Sequence, residues 1–303
     1  FSPLSATLPE NVSFLGWDVR NEFKGLYVIL RLYGMLRHYD VDAVADLHDV
    51  LRTKILRFLF WIEGKKVRFI HHEKRRRKHF LKHPQSKLPT SFDHYQDVFR
   101  RAGFPTEIKF HSIFENQAPD YRQIESVTGK KEGKWIGIAP FAAHKEKVYP
   151  REKMEKVIEK LSKRPGTKIF LFSGDSAERE ITENWEKKYP RTLSVGKKLG
   201  GLEYELILMS RLDVMLSMDS ANMHFASLVN TPVVSIWGAT HPGAGFMGWG
   251  QKEEDVLQID LPCRPCSIFG NNECESKDLA SLYGIETDNI IRQLDKHPET
   301  ENT

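Results

Sequence analysis

A chain of 303 residues, 40% hydrophobic and 28% charged, has the length for two domains of ordinary size and the apolar content to give each a core. Its net charge of +4 at pH 7 is too small to argue for a nucleic-acid binder, which gathers more positive charge on one face. No apolar run reaches the roughly 18 residues that mark a membrane-spanning helix, and Phe1-Ser2-Pro3-Leu4 has neither the charged nor the apolar region of a signal peptide.

The start also lacks an initiator Met, so the natural chain is expected to extend upstream. Val41–Asp46 reads as a strand. A helix from about Asp49 to Ile62 follows, with Leu51, Ile55, Phe58, Leu59 and Ile62 on one face. Lys65–Ile70 reads as the next strand. Residues 71–88 are basic and poorly periodic, which predicts a loop, and a short helix is expected around Phe92–Ala102. The Pro-, Gly- and Gln-rich stretch 103–133 predicts irregular structure with an interdomain linker at 119–133. The first domain is then 1–118 and the second 134–303.

The second part alternates more clearly. Trp135–Ala139 is a strand, and Pro150 opens a helix with Met154, Val157, Ile158 and Leu161 as its apolar stripe. Lys168–Ser173 is a strand, followed by a helix over about Ala177–Lys188. Glu203–Ser210 is a helix, Val214–Met218 a strand, Asn222–Val229 a helix and Pro232–Trp237 a strand. This rhythm predicts an α/β chain with parallel sheets covered by helices on both faces, arranged as two Rossmann-like domains facing a cleft. A last helix, about Glu286–Leu294, is expected to pack back across the first domain.

Ligands of open parallel sheets bind beyond the carboxyl ends of the strands, so the loops there hold the candidate site. The loop Met218-Asp219-Ser220-Ala221-Asn222-Met223-His224 leads small polar residues into a helix, whose first N–H groups and dipole suit a phosphate. Asp219, Ser220, Met223 and His224 are its candidate donor-binding residues, although Asp219 or Ser220 could equally serve as an ordinary N-cap. After the Trp135–Ala139 strand, Lys147 stands just before Tyr149-Pro150, where its point charge could meet a diphosphate. After Lys168–Ser173, Gly174 permits close approach of the backbone, and Glu178 is placed either to accept from a ribose or to sit in a helix's first turn as a dipole-favoured acid.

These three loops together resemble the lipopolysaccharide heptosyltransferases of glycosyltransferase family nine. The matching stretches are Ala139–Pro150, the Ser173–Glu178 turn and Asp219–Pro242, whose Asp-Ser-Ala-Asn-Met-His, Thr-Pro-Val-Val and Gly-Ala-Thr-His-Pro follow the family's motifs in order. Asp46-Leu47-His48-Asp49-Val50-Leu51-Arg52 is similar to the family's first-domain segment. Ala221-Asn222 departs from the Gly-Pro or Gly-Leu of many members. The resemblance implies a GT-B fold and an inverting transfer of heptose from ADP-heptose to the lipopolysaccharide inner core of a bacterium, with no cofactor and no metal. It implies Lys147 at the donor phosphates, Glu178 at the ribose, and Asp219 and His224 near the diphosphate and sugar. It also implies that the catalytic base lies on an N-terminal strand upstream of Phe1, so the catalytic residue is unknown in this chain.

Asp46, His48 and Asp49 lie at a strand end that should face the cleft. His48, Asp49 and Arg52 are the acceptor-binding candidates, against the alternative that Asp49 caps its helix. The basic run within His71–Lys87 suits an acceptor of acidic sugars and lipid phosphates, and peripheral contact with the anionic inner face of the inner membrane, as well as a solvated loop. Cys263, Cys266 and Cys274 fall one short of a structural zinc set. They are expected to be free thiols, in a cytoplasmic protein. The competing readings are a non-catalytic nucleotide-sugar-binding chain and a glycosyltransferase with another donor. A dehydrogenase is disfavoured by the lack of a Gly-x-Gly-x-x-Gly after any strand.

Overall fold

The computed structural model of the chain describes residues 8–16 and 26–300. The first part holds α1 (Leu26–Arg37), β1 (Ala43–Asp46), α2 (Leu51–Ile62), β2 (Lys66–Phe69), α3 (Lys74–Phe80) and α4 (Ser91–Ala102). β1 and β2 pair in parallel, Asp46 opposite Phe69. α4 begins at Thr90, whose hydroxyl accepts from the Asp93 N–H while Asp93 reaches back to the Thr90 N–H. It ends on Gly103 in the left-handed region. That is a capping box and a glycine stop on one helix.

The second part holds α5 (Arg122–Thr128), β3 (Lys134–Ala139), α6 (Arg151–Ser162), β4 (Thr167–Leu171), α7 (Ser176–Lys188), β5 (Thr192–Ser194), α8 (Gly196–Leu199), α9 (Leu202–Ser210), β6 (Val214–Met218), α10 (Ala221–Leu228), β7 (Val233–Ile236), β8 (Val256–Leu257), α11 (Ala280–Tyr283) and α12 (Thr287–Asp295). Its sheet runs β5-β4-β3-β6-β7-β8 with every pairing parallel. The central strands are mostly apolar because both faces are covered. Ile136, Ile138, Leu216 and Ile236 face one cluster, with Met154, Ile158 and Leu161 of α6. Trp135, Phe170, Met215 and Val233 alternate onto the other, with Leu208 of α9 and Met223 of α10. The chain direction reverses its progress across the sheet between β3 and β6, and the loops leaving β3, β4, β6 and β7 converge at one end.

Four expectations change. The basic stretch expected as a loop contains α3, anchored by Phe80, which is fully buried. The stretch expected to be irregular contains α5, whose Ile124 enters the second domain's core. The final helix does not return to the first domain in the way expected. Ile290, Ile291 and Leu294 of α12 join the cluster around α6 instead. α1, β5 and β8 add elements that the pattern alone did not signal. Among the described residues no helix is long and apolar enough to cross a membrane.

The two parts meet through residues 80–92 and 240–249. Phe80 packs with Ala244 and Ile268, its ring 5.8 Å from that of His241. The Leu88 N–H donates to the Gly243 carbonyl at 2.8 Å and the Ser91 N–H to that of Gly245 at 3.3 Å.

Candidate functional site

A cleft of about 400 Å³ opens where these loops converge, walled by Lys147, Gly174, Glu178, Asp219, Ser220 and His224, with the aromatic rings of Phe141, Phe172, Phe246 and Phe269 around them. β3, β4 and β6 each deliver one charged group to it. Lys147 closes a short 3-10 turn, Lys145–Lys147. The following Tyr149 is fully buried, and its hydroxyl donates to the Ile285 carbonyl at 2.8 Å. Burial pushes that phenol up to about 12, so it stays a protonated donor that clamps the turn. The lysine's ammonium meets Asp219 Oδ2 at 2.9 Å and donates to the Asp219 carbonyl at 3.1 Å.

Asp219 and Ser220 resolve the capping question differently from the expectation. Ser220 occupies the N-cap position of α10 in extended conformation, but its side chain accepts no bond from the helix. Its hydroxyl lies 3.3 Å from that of Ser217. Asp219 turns its carboxylate away, to Lys147 and to the Thr240 hydroxyl at 2.7 Å. The first-turn N–H groups of α10 therefore have no side-chain cap, and they open at the cleft wall as an anion site would. His224 stands one turn along, exposed at the cleft wall. Desolvation lowers its pKa, while the charge of Asp219 pulls upward and that of Lys147 adds to the lowering. It is a neutral imidazole at pH 7, able to donate or accept.

Met223 keeps its side chain out of the cleft and can face a donor only through its first-turn N–H. Its side chain is 1% exposed and packs beneath α10 with Met215 and Trp237, because the helical turn that aims His224 outward aims its neighbour inward. Glu178 reaches the cleft, but its Oε2 accepts from the Gly174 N–H at 2.6 Å, while Asp175 caps α7 by accepting from the Glu178 N–H at 2.9 Å. Glu178 is thus a first-turn acid of α7 as one reading had it, and it also lines the cleft.

The first-domain candidates form a separate knot. Asp46 accepts from the N–H groups of His48 at 3.0 Å and Asp49 at 2.9 Å, and from Arg57 at 3.1 Å. Burial raises the Asp46 pKa, but these hydrogen bonds, with one from Thr53 and the charge of Arg57, outweigh it and hold the carboxyl below its ordinary value. Asp49 pairs with Arg57 at 2.7 Å, and Val50, not Asp49, is the N-cap of α2. The helix-cap expectation for Asp49 is thus corrected: the arginine takes its carboxylate. Arg52 lies half-buried on α2.

Two contacts of the site escaped the sequence reading, although the basic run that holds Arg77 was itself singled out. Arg77 of α3 lays its guanidinium over Phe269, 5.2 Å from the ring centroid, and so brings a first-domain charge to the cleft's rim. Desolvation lowers its pKa against the pull of Glu73. Thr240 fixes the Asp219 carboxylate, and although it lies inside a recognised motif, nothing local marks that contact. The three cysteines are free thiols, Cys263 exposed and the others half-buried. Among the described residues no group of three His, Cys, Asp or Glu is arranged to hold a metal.

Comparison with known proteins agrees with this geometry. The model of glycosyltransferase family 9 (heptosyltransferase) matches residues 29–275. Lipopolysaccharide heptosyltransferase 3 of Escherichia coli (strain K12) is 32% identical over 134 residues, 41% of this chain. That match spans 36% of the relative's length. The structure of E. coli ADP-heptose lps heptosyltransferase II superposes with a TM-score of 0.64 at 15% identity, over 88% of this chain and 80% of that one. E. coli heptosyltransferase WaaC with ADP gives 0.60 at 14% identity, over 92% and 81%. At these identities the two structures speak for the shared GT-B fold.

Proposed function

The chain belongs to glycosyltransferase family 9, the heptosyltransferase family, and on that premise we propose that it moves a heptose from ADP-heptose to an inner-core sugar of lipopolysaccharide, with inversion. The observation that carries the donor half is the pairing of a half-buried ammonium with an uncapped helix start across one cleft: Lys147 on Asp219, beside the first turn of α10. A nucleotide sugar leaves as a diphosphate, and charge developing on the bridging oxygen is stabilised by fixed donors that need not reorganise. Lys147 supplies a charge, α10 supplies N–H groups and a dipole, and His224 supplies a donor that can gain a proton. Glu178 stands on the β4 side, where a ribose hydroxyl could donate to it. The E. coli heptosyltransferases named above are described with ADP or as ADP-heptose enzymes, which supports adenine as the base.

The acceptor hydroxyl must lose a proton to a carboxylate or imidazole within hydrogen-bond reach. Asp46 and Asp49 suit that task poorly, since both are committed to Arg57. They are read here as acceptor-side structure, with His48 and Arg52 as binding candidates. Arg77 at the cleft rim and the exposed Arg75 and Arg76 suit an acceptor bearing acidic groups at an anionic membrane face.

The test is calorimetric. A charge-assisted hydrogen bond is worth about 1.5–3 kcal/mol, roughly 10–100-fold in affinity. Lys147→Ala is therefore expected to weaken ADP binding by at least about tenfold, and unchanged affinity would remove Lys147 from the donor site. A thermal-shift panel of ADP, UDP and GDP should respond to ADP most, and a response to UDP alone would overturn the donor assignment.

A further inference from the structure

Arg264 is 6% exposed, yet its guanidinium meets only neutral oxygens. Nε donates to the Gly238 carbonyl at 2.5 Å and Nη1 to that of Ile259 at 2.5 Å. Nη2 donates to the Thr240 carbonyl at 2.7 Å and to Gln258 Oε1 at 2.9 Å. The charge of Asp260 acts on it only without a hydrogen bond, and desolvation outweighs it. A buried cation held by neutral oxygens is therefore costly, and what it secures is the fixed shape of the loop it binds. That loop is held again from both sides, by the Cys266 N–H on the Ala239 carbonyl at 2.8 Å and the Ala239 N–H on the Glu146 carbonyl at 3.1 Å. The product of this bracing is Thr240, fully buried, whose hydroxyl donates to Asp219 Oδ2. The same oxygen receives Lys147.

We propose that Thr240, braced by Arg264, is a positioning residue for the donor diphosphate and acts on it only through Asp219 and Lys147. This rests on the reading of Lys147 as the diphosphate's cation. An ammonium has three N–H donors. Asp219 engages that of Lys147 by a hydrogen bond to its carbonyl and by the ion pair with Oδ2, which leaves N–H donor capacity for a ligand. The Thr240 hydroxyl holds Oδ2 in place and absorbs part of its charge. Without it the carboxylate is free to rotate, face Lys147 with both oxygens and draw the ammonium down from the cleft. Thr240 thereby sets how tightly Asp219 grips the lysine without touching the ligand.

A double-mutant cycle read by calorimetry with ADP tests the role, with the thermal midpoint of each variant measured alongside. Thr240→Val is expected to weaken ADP binding by about five- to tenfold, in line with the loss of one buried hydrogen bond. Thr240→Ser, which keeps the hydroxyl, is expected to restore it. In the Lys147→Ala background, Thr240→Val should change the affinity by less than about twofold, because contacting residues couple and the path to the ligand is already cut. Losses that simply add, or a serine that fails to rescue at a wild-type midpoint, overturn the positioning role and leave the donor site standing. An ADP affinity indifferent to Lys147→Ala overturns the donor-site reading and this role with it.

Discussion

The Asp219 carboxylate shows how little a side chain's neighbours in sequence say about its work. It precedes a helix and could have capped it, but a lysine from the β3 loop and a threonine from the β7 loop take it instead. Lys147, Asp219 and His224 were legible because each stands beside its own strand end or helix start. Thr240 and Arg264 were not, since their partners are contributed by other loops and only folding brings them together. His224 yields a pH prediction. Its free pKa lies below the ordinary 6.5, and a bound diphosphate would raise it. A site whose pKa rises on binding takes up a proton, so ADP affinity should strengthen as pH falls through the bound-state pKa and level off below the free one. Calorimetry near pH 6 in buffers of different ionisation enthalpy should register this uptake, and His224→Asn should lack its share of it. Equal uptake by the variant would assign the proton elsewhere.

At the scale of elements, the strands were legible where apolar runs are short and bounded, because a parallel sheet covered on both faces asks for nothing else. β6 is the clearest case, its expected and observed limits coinciding at Val214–Met218. Elements failed where charge hid the pattern. α3 reads as a basic run, and Phe80 alone anchors it in the core, so no periodicity reveals the helix. β5 and β8, three and two residues long, are too short to leave a signal. α10 separates two roles along one helix, a ligand-facing start and a buried underside. Met223→Ala should therefore destabilise the protein by about 2–4 kcal/mol, as large-to-small core changes do, and leave the ADP affinity of the folded protein within about twofold. A large loss of affinity at unchanged stability would return Met223 to the ligand's side.

At the scale of the whole molecule, the contact between the two parts is small and specific. Phe80, Leu88 and Ser91 of the first meet the loop that follows Thr240 in the second. The alternation of strands and helices announced two such units, but the register between them was beyond the sequence, since it depends on contacts between distant loops, such as the Phe80 ring on Ala244, the Phe92 ring against Trp249 and the backbone bonds of Leu88 and Ser91. The same helix that supplies Phe80 turns Arg75 and Arg76 to solvent and Arg77 toward the cleft. Neutralising Arg75 and Arg76 to Gln should weaken partition onto vesicles containing anionic lipid by about tenfold or more, at about 1 kcal/mol per basic residue near such a surface, with ADP affinity unchanged. Vesicle binding that ignores both substitutions would mean that this face does not meet the membrane.

Gly270 lies flush against the stem of Lys147. A methyl group built on it would sit 2.6 Å from the lysine's Cε and 2.7 Å from its Cγ, and its backbone φ of +76° already suits glycine alone. Any side chain at position 270 would therefore press on the lysine's stem, so the place of the ammonium depends on a residue of another loop that has no side chain. A substitution at position 270 is therefore expected to shift the Lys147 charge at the cleft wall, with the lysine itself left as it is.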